Sequence, residues 1–492
     1  MVIEMIYKKD EQSRKNIQMI DIDTLVPKNH LVRHIEKVID FEFIREYVQD
    51  MYSLNKGRPS IDPVVLFKIV FIQFLFGIKS MRQTIKEIDV NVAYRWFLGY
   101  GFTESIPNYS TFSQNYRRRF VGTDVFEKIF KHILSSLIEN GLIKEDTYFI
   151  DSTHIKAYAN KRKVDNEYID VDYNIYTKNL HEEINRQREK ENKKRIDFNQ
   201  KKKVAISRTD PESGMFHKGE KEKQLAYSVQ TAVDENGWVM GCKTTSANVN
   251  DNNAGMEFVD ELTDEFKETK AVVMDAGYTS PLLQDILLSK GIMPVLPYYR
   301  PKGKRLVKES GEVEFTYTKH YFKYIEEDDI YLCPYLKPLT YRGIDTQGYK
   351  VYRSRTKDCR DCPYKHKCTN QNTKTISRHL LEYTKKHSME FRLTDEGKEL
   401  YNKRKYTIER LFAQCKMSHC LGFTLLRGKE KNHNRNLIIY SAANIKKLAL
   451  LVWKYELKIR KISSFKQAFL TRIRRFFWKC SKNQKNNLVF IN

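Results

Sequence analysis

Hydrophobic positions fall at helical intervals from about residue 20 to residue 140, and strand-like runs begin only at Thr147. Asp62-Pro63 predicts a helix start, a capping side chain followed by proline in the first turn. The run Val64 to Ile78 that follows is almost wholly apolar. It contains Lys68 and Gln73 and spans about fifteen residues, short of the roughly 20 that cross a bilayer, so it predicts a buried helix. A second helical pattern covers Ser80 to Phe97. A third opens near Ser110, read as its cap, and carries Arg117, Arg118 and Arg119. Short helices joined by tight turns, with a basic one last, suit a helix-turn-helix module. A plain helical bundle with a solvated arginine run fits the same spacing.

Beyond Thr147 the pattern alternates. The stretch TYFIDSTHIKAYA predicts a strand around Asp151. The charged residues 160–203 read as a solvated helix or a mobile arm. LAYSVQTAVD and WVMGCKTTSANV predict two strands, joined by a hairpin turn at Asp234 to Gly237. A helix follows over Ala254 to Lys267, then the short buried strand AVVMDAGY with Asp275 at its end. A helix over Ser280 to Lys290 leads to a last strand in GIMPVLPYY. Strand–helix–strand alternation implies parallel pairing. Residues 300 to about 380 are polar, tyrosine-rich and cysteine-bearing, and break the pattern. Helical spacing resumes at about Thr394 and runs to Leu457, ahead of a basic, aromatic tail. There is no internal repeat.

The 492 residues allow several domains, and 87 Lys+Arg against 62 Asp+Glu give a formal net charge of +25. Such a surplus favours a polyanionic partner, nucleic acid first. The opening stretch, Met1 to Arg14, is polar and charged rather than signal-like. The expectation is a cytoplasmic protein with no membrane partner, nucleoid-associated when on DNA. The 8 cysteines of such a chain do not read as a disulfide framework.

A carboxylate inside an apolar strand is costly unless it is paired or binds metal. Asp151 and Asp275 both stand in such strands. Side by side in a parallel sheet they would need a cation between them. A third carboxylate, Glu409, sits on a helical pattern beside the apolar face of Ile408, Leu411, Phe412 and Cys415. Three carboxylates suit two Mg²⁺ or Mn²⁺ ions, hard cations that serve in-line phosphoryl displacement. A salt bridge or a turn cap is the alternative for any one of them.

The stretch Ile150-Asp151-Ser152-Thr153-His154-Ile155-Lys156-Ala157 resembles the first-aspartate motif of DDE-type bacterial insertion-sequence transposases. Met274-Asp275-Ala276-Gly277-Tyr278 is similar to their second motif. Tyr401, Arg404, Glu409 and Lys416 resemble the C-terminal block, usually Tyr-x2-Arg-x3-Glu-x6-Lys. This chain has four residues rather than three between Arg404 and Glu409. Thr209 to Glu212 and Tyr227 to Asp234 are similar to the family's second-strand region, and residues 20–120 to its N-terminal helical domain.

The resemblance implies an α/β protein. Its catalytic core would be an RNase H-like mixed five-stranded sheet, with an N-terminal all-α DNA-binding domain and a cysteine-bearing insertion. The corresponding blocks are residues 1–140, helical and helix-turn-helix-like; 141–299, the first part of the core; 300–392, the insertion; 393–457, the core's C-terminal helices with Glu409; and 458–492, the tail. It implies metal-dependent strand cleavage and strand transfer by Asp151, Asp275 and Glu409, binding of terminal inverted repeats and target double-stranded DNA, and a homodimer or larger synaptic complex. Two other functions remain: a DNA-binding protein without catalysis, and an RNase H-like nuclease that cuts without joining.

Lys156, further along the Asp151 strand, is read as sharing its face and touching a phosphate near the ions. Lys416 lies two helical turns from Glu409, and Arg427 follows on a basic turn. With Arg117, Arg118, Arg119 and Arg404 these are the expected DNA contacts, which position a duplex without reading it. Ordinary solvated surface is the alternative. Cys333, Cys359, Cys362 and Cys368 would complete a tetrahedral structural Zn²⁺ site, stabilising an insertion with little apolar core of its own; reduced, unliganded thiols are the alternative. His366 is a substitute ligand, and Cys415 and Cys420 read as core. In the tail, basic residues alternate with Phe465, Phe469, Phe476, Phe477 and Trp478, which suits phosphate contact, a membrane-surface helix or docking on the core.

Overall fold

Asp62 opens the apolar helix Pro63–Leu75: its carboxylate accepts from the Val64 amide at 2.8 Å and Pro63 fills the first turn. Apolar on every side, this helix is buried and its ring Phe67 packs on Phe120 and Phe126 while Phe71 meets Phe41. Lys68 is tolerated there because its ammonium pairs with Glu36 at 2.5 Å and lies 4.7 Å from the Phe97 ring. Two outside groups satisfy the carbonyls at the helix end. Lys446 donates to Leu75 at 3.0 Å, and the His419 ring meets the Phe74 carbonyl at 2.8 Å.

The computed structural model describes residues 17, 19–53, 60–171, 173–199, 201–218, 222–298, 303–307, 313–345 and 348–461. The tail from residue 462, with all its aromatic residues, lies outside them. The chain divides into two compact units: residues 1–140, 415–420 and 437–492, and residues 141–414 and 421–436. The C-terminal helices therefore do not form one block ending at 457. A single helix, Lys429–Lys461, contributes to both units.

Within the first unit, the pattern over Ser80 to Phe97 is two helices, Met81–Val90 and Val92–Leu98. Asn91 restarts the second by accepting from the Ala93 and Tyr94 amides. Ser110 is the first residue of helix Ser110–Asn115 rather than its cap; Tyr109 holds the cap position, and Asn108 Oδ1 before it accepts from the Ser110 amide at 2.9 Å. It runs into a single π turn, Tyr116–Phe120, that carries the three arginines.

The second unit is built on a mixed sheet of six strands rather than five. Thr147–Lys156 is central. On one side it pairs antiparallel with Glu222–Val233; on the other it pairs parallel with Ala271–Val273, which pairs parallel with Met293–Val295. The far edge of Glu222–Val233 is shared by Gly214–Lys218 and Val239–Ser246, the latter through the hairpin at Asp234, where Gly237 takes φ +75°. Helices Asp251–Glu265 and Pro281–Ser289 make the crossovers.

Two segments fold more than their sequence suggests. The charged stretch from residue 160 is no arm: Val164–Asp170 pairs with Lys201–Ser207, and helix Ile175–Lys190 lies between them. The cysteine-bearing segment is a five-stranded antiparallel sheet from Lys323 to His379. It has its own core of Phe322, Tyr331, Leu339, Tyr352 and Ile376, contrary to the expectation of little apolar core. Tyr324 and Tyr352 satisfy their hydroxyls on Asp329, so tyrosine can serve as core there.

Candidate active site

The sheet register sets Asp151 beside Asp275. Phe149 pairs with Val273 across two parallel strands, and each aspartate stands two residues further on. Neighbouring strands lie roughly 4.8 Å apart. Asp275 stands two residues past the end of its strand and caps a short 3₁₀ turn, accepting from the Gly277 amide at 2.8 Å. Asp151 Oδ1 accepts from the Ser152 amide at 2.8 Å, and Oδ2 receives an Arg404 guanidinium nitrogen at 2.6 Å. The two side chains of that ion pair are 16% and 9% exposed.

Burial raises the Asp151 carboxyl to about 6; Asp275 and Asp251 add to the rise, and Arg404 opposes it. Asp275 is also raised, first by burial and then by Asp251, against the Gly277 amide and Arg404. Both groups thus lack counter-charge even with Arg404 in place.

Asp251 was not singled out from the sequence. It is the first residue of helix Asp251–Glu265, behind the Asn250 cap. Gln230 Nε2 donates to its Oδ1 at 3.0 Å, and the buried Tyr278 hydroxyl donates to Gln230 Oε1. A Cβ at Gly277 would lie 3.0 Å from Asp275 Oδ1 and 3.3 Å from Asp251 Oδ2, so glycine lets the backbone sit against both carboxylates. The Tyr278 ring packs on Gly255, where a Cβ would stand 2.6 Å away. The one sequence signal for Asp251 was its place at a helix start after Asn250.

Glu409 heads the helix Ile408–Ser418 and is exposed, while Ile408, Leu411, Phe412 and Cys415 are buried as its apolar face. Its amide donates to the Arg404 carbonyl at 3.4 Å. Among the described residues, no three His, Cys, Asp or Glu side chains stand in metal-holding geometry. The structure thus joins Asp151, Asp275, Asp251 and Arg404 at one sheet end, and leaves Glu409 at the surface.

Lys156 does not share the face of Asp151: the two are five residues apart, and side chains alternate along a strand. The Lys156 backbone instead holds the loop around Phe423, donating to Gly422 and accepting from Thr424 at 3.1 Å each. Arg427 lies 5.1 Å over the Tyr158 ring. Arg117 and Arg118 are exposed; Arg119 folds back 4.3 Å over Tyr52. Lys416 is exposed on the Glu409 helix.

All four cysteines of the insertion are free thiols. Burial pushes the Cys368 thiol up, with Cys359, Cys333 and Cys362 adding to the rise and Lys374 opposing it, so each of the three lies within electrostatic reach of Cys368. The Lys337 amide donates to Cys333 Sγ at 3.3 Å. His366 faces Glu314. Cys415 is buried in the helix's apolar face, and its thiol is pushed up to about 12.

A family model described as a transposase domain matches residues 20–118, and another described as a transposase DDE domain matches residues 332–449. The chain belongs to the DDE-type insertion-sequence transposases. The DDE-domain match spans the four cysteines, Arg404, Glu409, Lys416 and Arg427; both aspartates precede it. No curated protein matches the transposase. No helix among the described residues is long and apolar enough to cross a membrane.

Proposed function

We propose that the transposase binds the terminal inverted repeats of its insertion sequence and cuts and rejoins DNA there, using Asp151, Asp275 and Glu409. The observation that carries this reading is the pair of half-buried carboxylates at the end of neighbouring parallel strands, both raised by burial. Such a pair is an oxygen donor set that fits Mg²⁺ or Mn²⁺. Glu409 is the third ligand in this reading, since it heads the helix that follows Arg404, the partner of Asp151. Bound there, two divalent ions supply Lewis-acid activation of the attacking oxygen and stabilisation of the leaving one.

The chain's own residues do the rest. Gly277 and Ser152 amides orient the two aspartates. Arg404 offsets part of their charge before ions and DNA arrive, and Lys416, Arg427 and the exposed Arg117 and Arg118 hold phosphates. The mixed strand order supports an RNase H-like core. The cysteine quartet takes a structural Zn²⁺, and the active assembly is a dimer or larger synapse.

The test is nicking of labelled duplex carrying the element's ends in Mg²⁺. Asp275→Ala should abolish cleavage and leave binding intact. Wild-type protein that binds and never nicks overturns the reading. Joined products separate a transposase from a nuclease that only frees ends.

A further inference from the structure

Beyond the carboxylates, the far end of the Asp151 strand opens into a cleft of about 590 Å³. Lys156, Lys161, Arg162 and Lys223 line it, with no acidic residue among the described residues that line it. All four are exposed, and none has an ion-pair partner among the described residues. Elsewhere in this unit lysines are matched: Lys243 with Glu257 and Glu261, Lys290 with Asp260 and Asp264.

The cleft has a packed floor and a hydrogen-bonded rim. Its floor is the buried cluster Ala157, Leu225 and Tyr227. Its rim is an Asx turn, in which Asn160 Oδ1 accepts from the Arg162 amide at 2.9 Å and the Asn160 amide donates to Thr209 at 3.0 Å. That turn fixes Lys161 and Arg162 at one lip. Lys223 stands on the neighbouring strand, three residues before the Ala226 that pairs with Lys156.

We propose that this cleft is a second DNA contact of the transposase, holding the sugar–phosphate backbone of the duplex flanking the cut site; the proposal rests on the function argued above. Strand rise puts about 10 Å between Lys156 and Lys223, and about 17 Å between Asp151 and Lys156. A duplex carries one charge per roughly 1.7 Å of axis, so the cations span a run of phosphates rather than one anion. Cations set on a packed floor add affinity and register without reading bases.

The experiment is the salt dependence of binding to a fluorescein-labelled DNA duplex, followed by anisotropy. In Arg162→Gln/Lys223→Gln the slope of log affinity against log salt should become shallower by about two, close to one for each phosphate no longer neutralised. The control is Lys267→Gln/Lys270→Gln, two exposed lysines at the opposite end of the sheet, just before Ala271. It should keep the wild-type slope. The single variants Arg162→Gln and Lys223→Gln should each flatten the slope by about one, and serve if the double variant melts early. An unchanged slope in the cleft variants, or an equal flattening in the control, overturns the proposal while Mg²⁺-dependent nicking by the wild type still stands. Wild-type protein that neither binds nor nicks duplex overturns the transposase reading and this proposal together.

Discussion

An Arg404 guanidinium nitrogen lies 2.6 Å from Asp151 Oδ2, joining residues 253 apart in sequence. The arginine enters the end of the sheet where Asp151, Asp275 and Asp251 crowd their charges. Removing one partner of a buried pair leaves an uncompensated charge, worth roughly 3–5 kcal/mol. Arg404→Ala should therefore unfold earlier at pH 8, and be destabilised much less at pH 5, where Asp151 takes up a proton. Thermal melts at the two pH values check this; equal destabilisation would refute it.

Asp151 gives stability a definite pH slope. Its folded carboxyl sits at about 6, above the ordinary 3.8, so the folded state holds a proton that the unfolded chain releases. Stability then falls as pH rises across that window, by roughly 3 kcal/mol in all. Asp151→Asn removes the Asp151 share of the slope and leaves only the part due to Asp275, which is also raised. Denaturant melts of the two proteins between pH 4 and pH 7 measure it.

Asp251 raises both aspartates, while Asn at that position would keep the acceptor for Gln230. Asp251→Asn should lower the pH at which metal-dependent nicking is half-maximal, with little change in melting temperature. A pH–rate profile reads the shift; an unmoved midpoint would place Asp251 outside the electrostatics of the site.

Gly255→Ala should cost about 1–3 kcal/mol, because its Cβ would meet the Tyr278 ring at 2.6 Å and that ring cannot yield in a packed core. Melting of the variant against wild type measures the cost. The strain falls on the turn that carries Asp275, so nicking should weaken at temperatures where the variant is still folded.

The two aspartates could be found in the sequence because each interrupts an apolar strand, where an unpaired carboxylate is costly. Parallel pairing followed from the alternation of strands and helices. Asp251 could not be found that way: beside Asn250 it reads as a helix start, and only packing brings it to Asp275. The Arg404 contact joins distant segments with no local pattern between them. The tyrosine sheet was missed because its strands are short and its core residues carry hydroxyls, which read as polar until Asp329 satisfies them. The misplacement of Lys156 was a matter of parity: five residues from Asp151 reverses the face.

The most direct test of the account is Mn²⁺ binding followed by electron paramagnetic resonance, with Asp151→Asn, Asp275→Asn and Glu409→Gln beside the wild type. The wild type should bind manganese at pH 8 and bind it more weakly as the pH falls, because protons compete for the Asp151 carboxylate that burial already raises. Each variant should bind it markedly more weakly. Wild-type affinity in all three would contradict the claim that these carboxylates hold the catalytic metal.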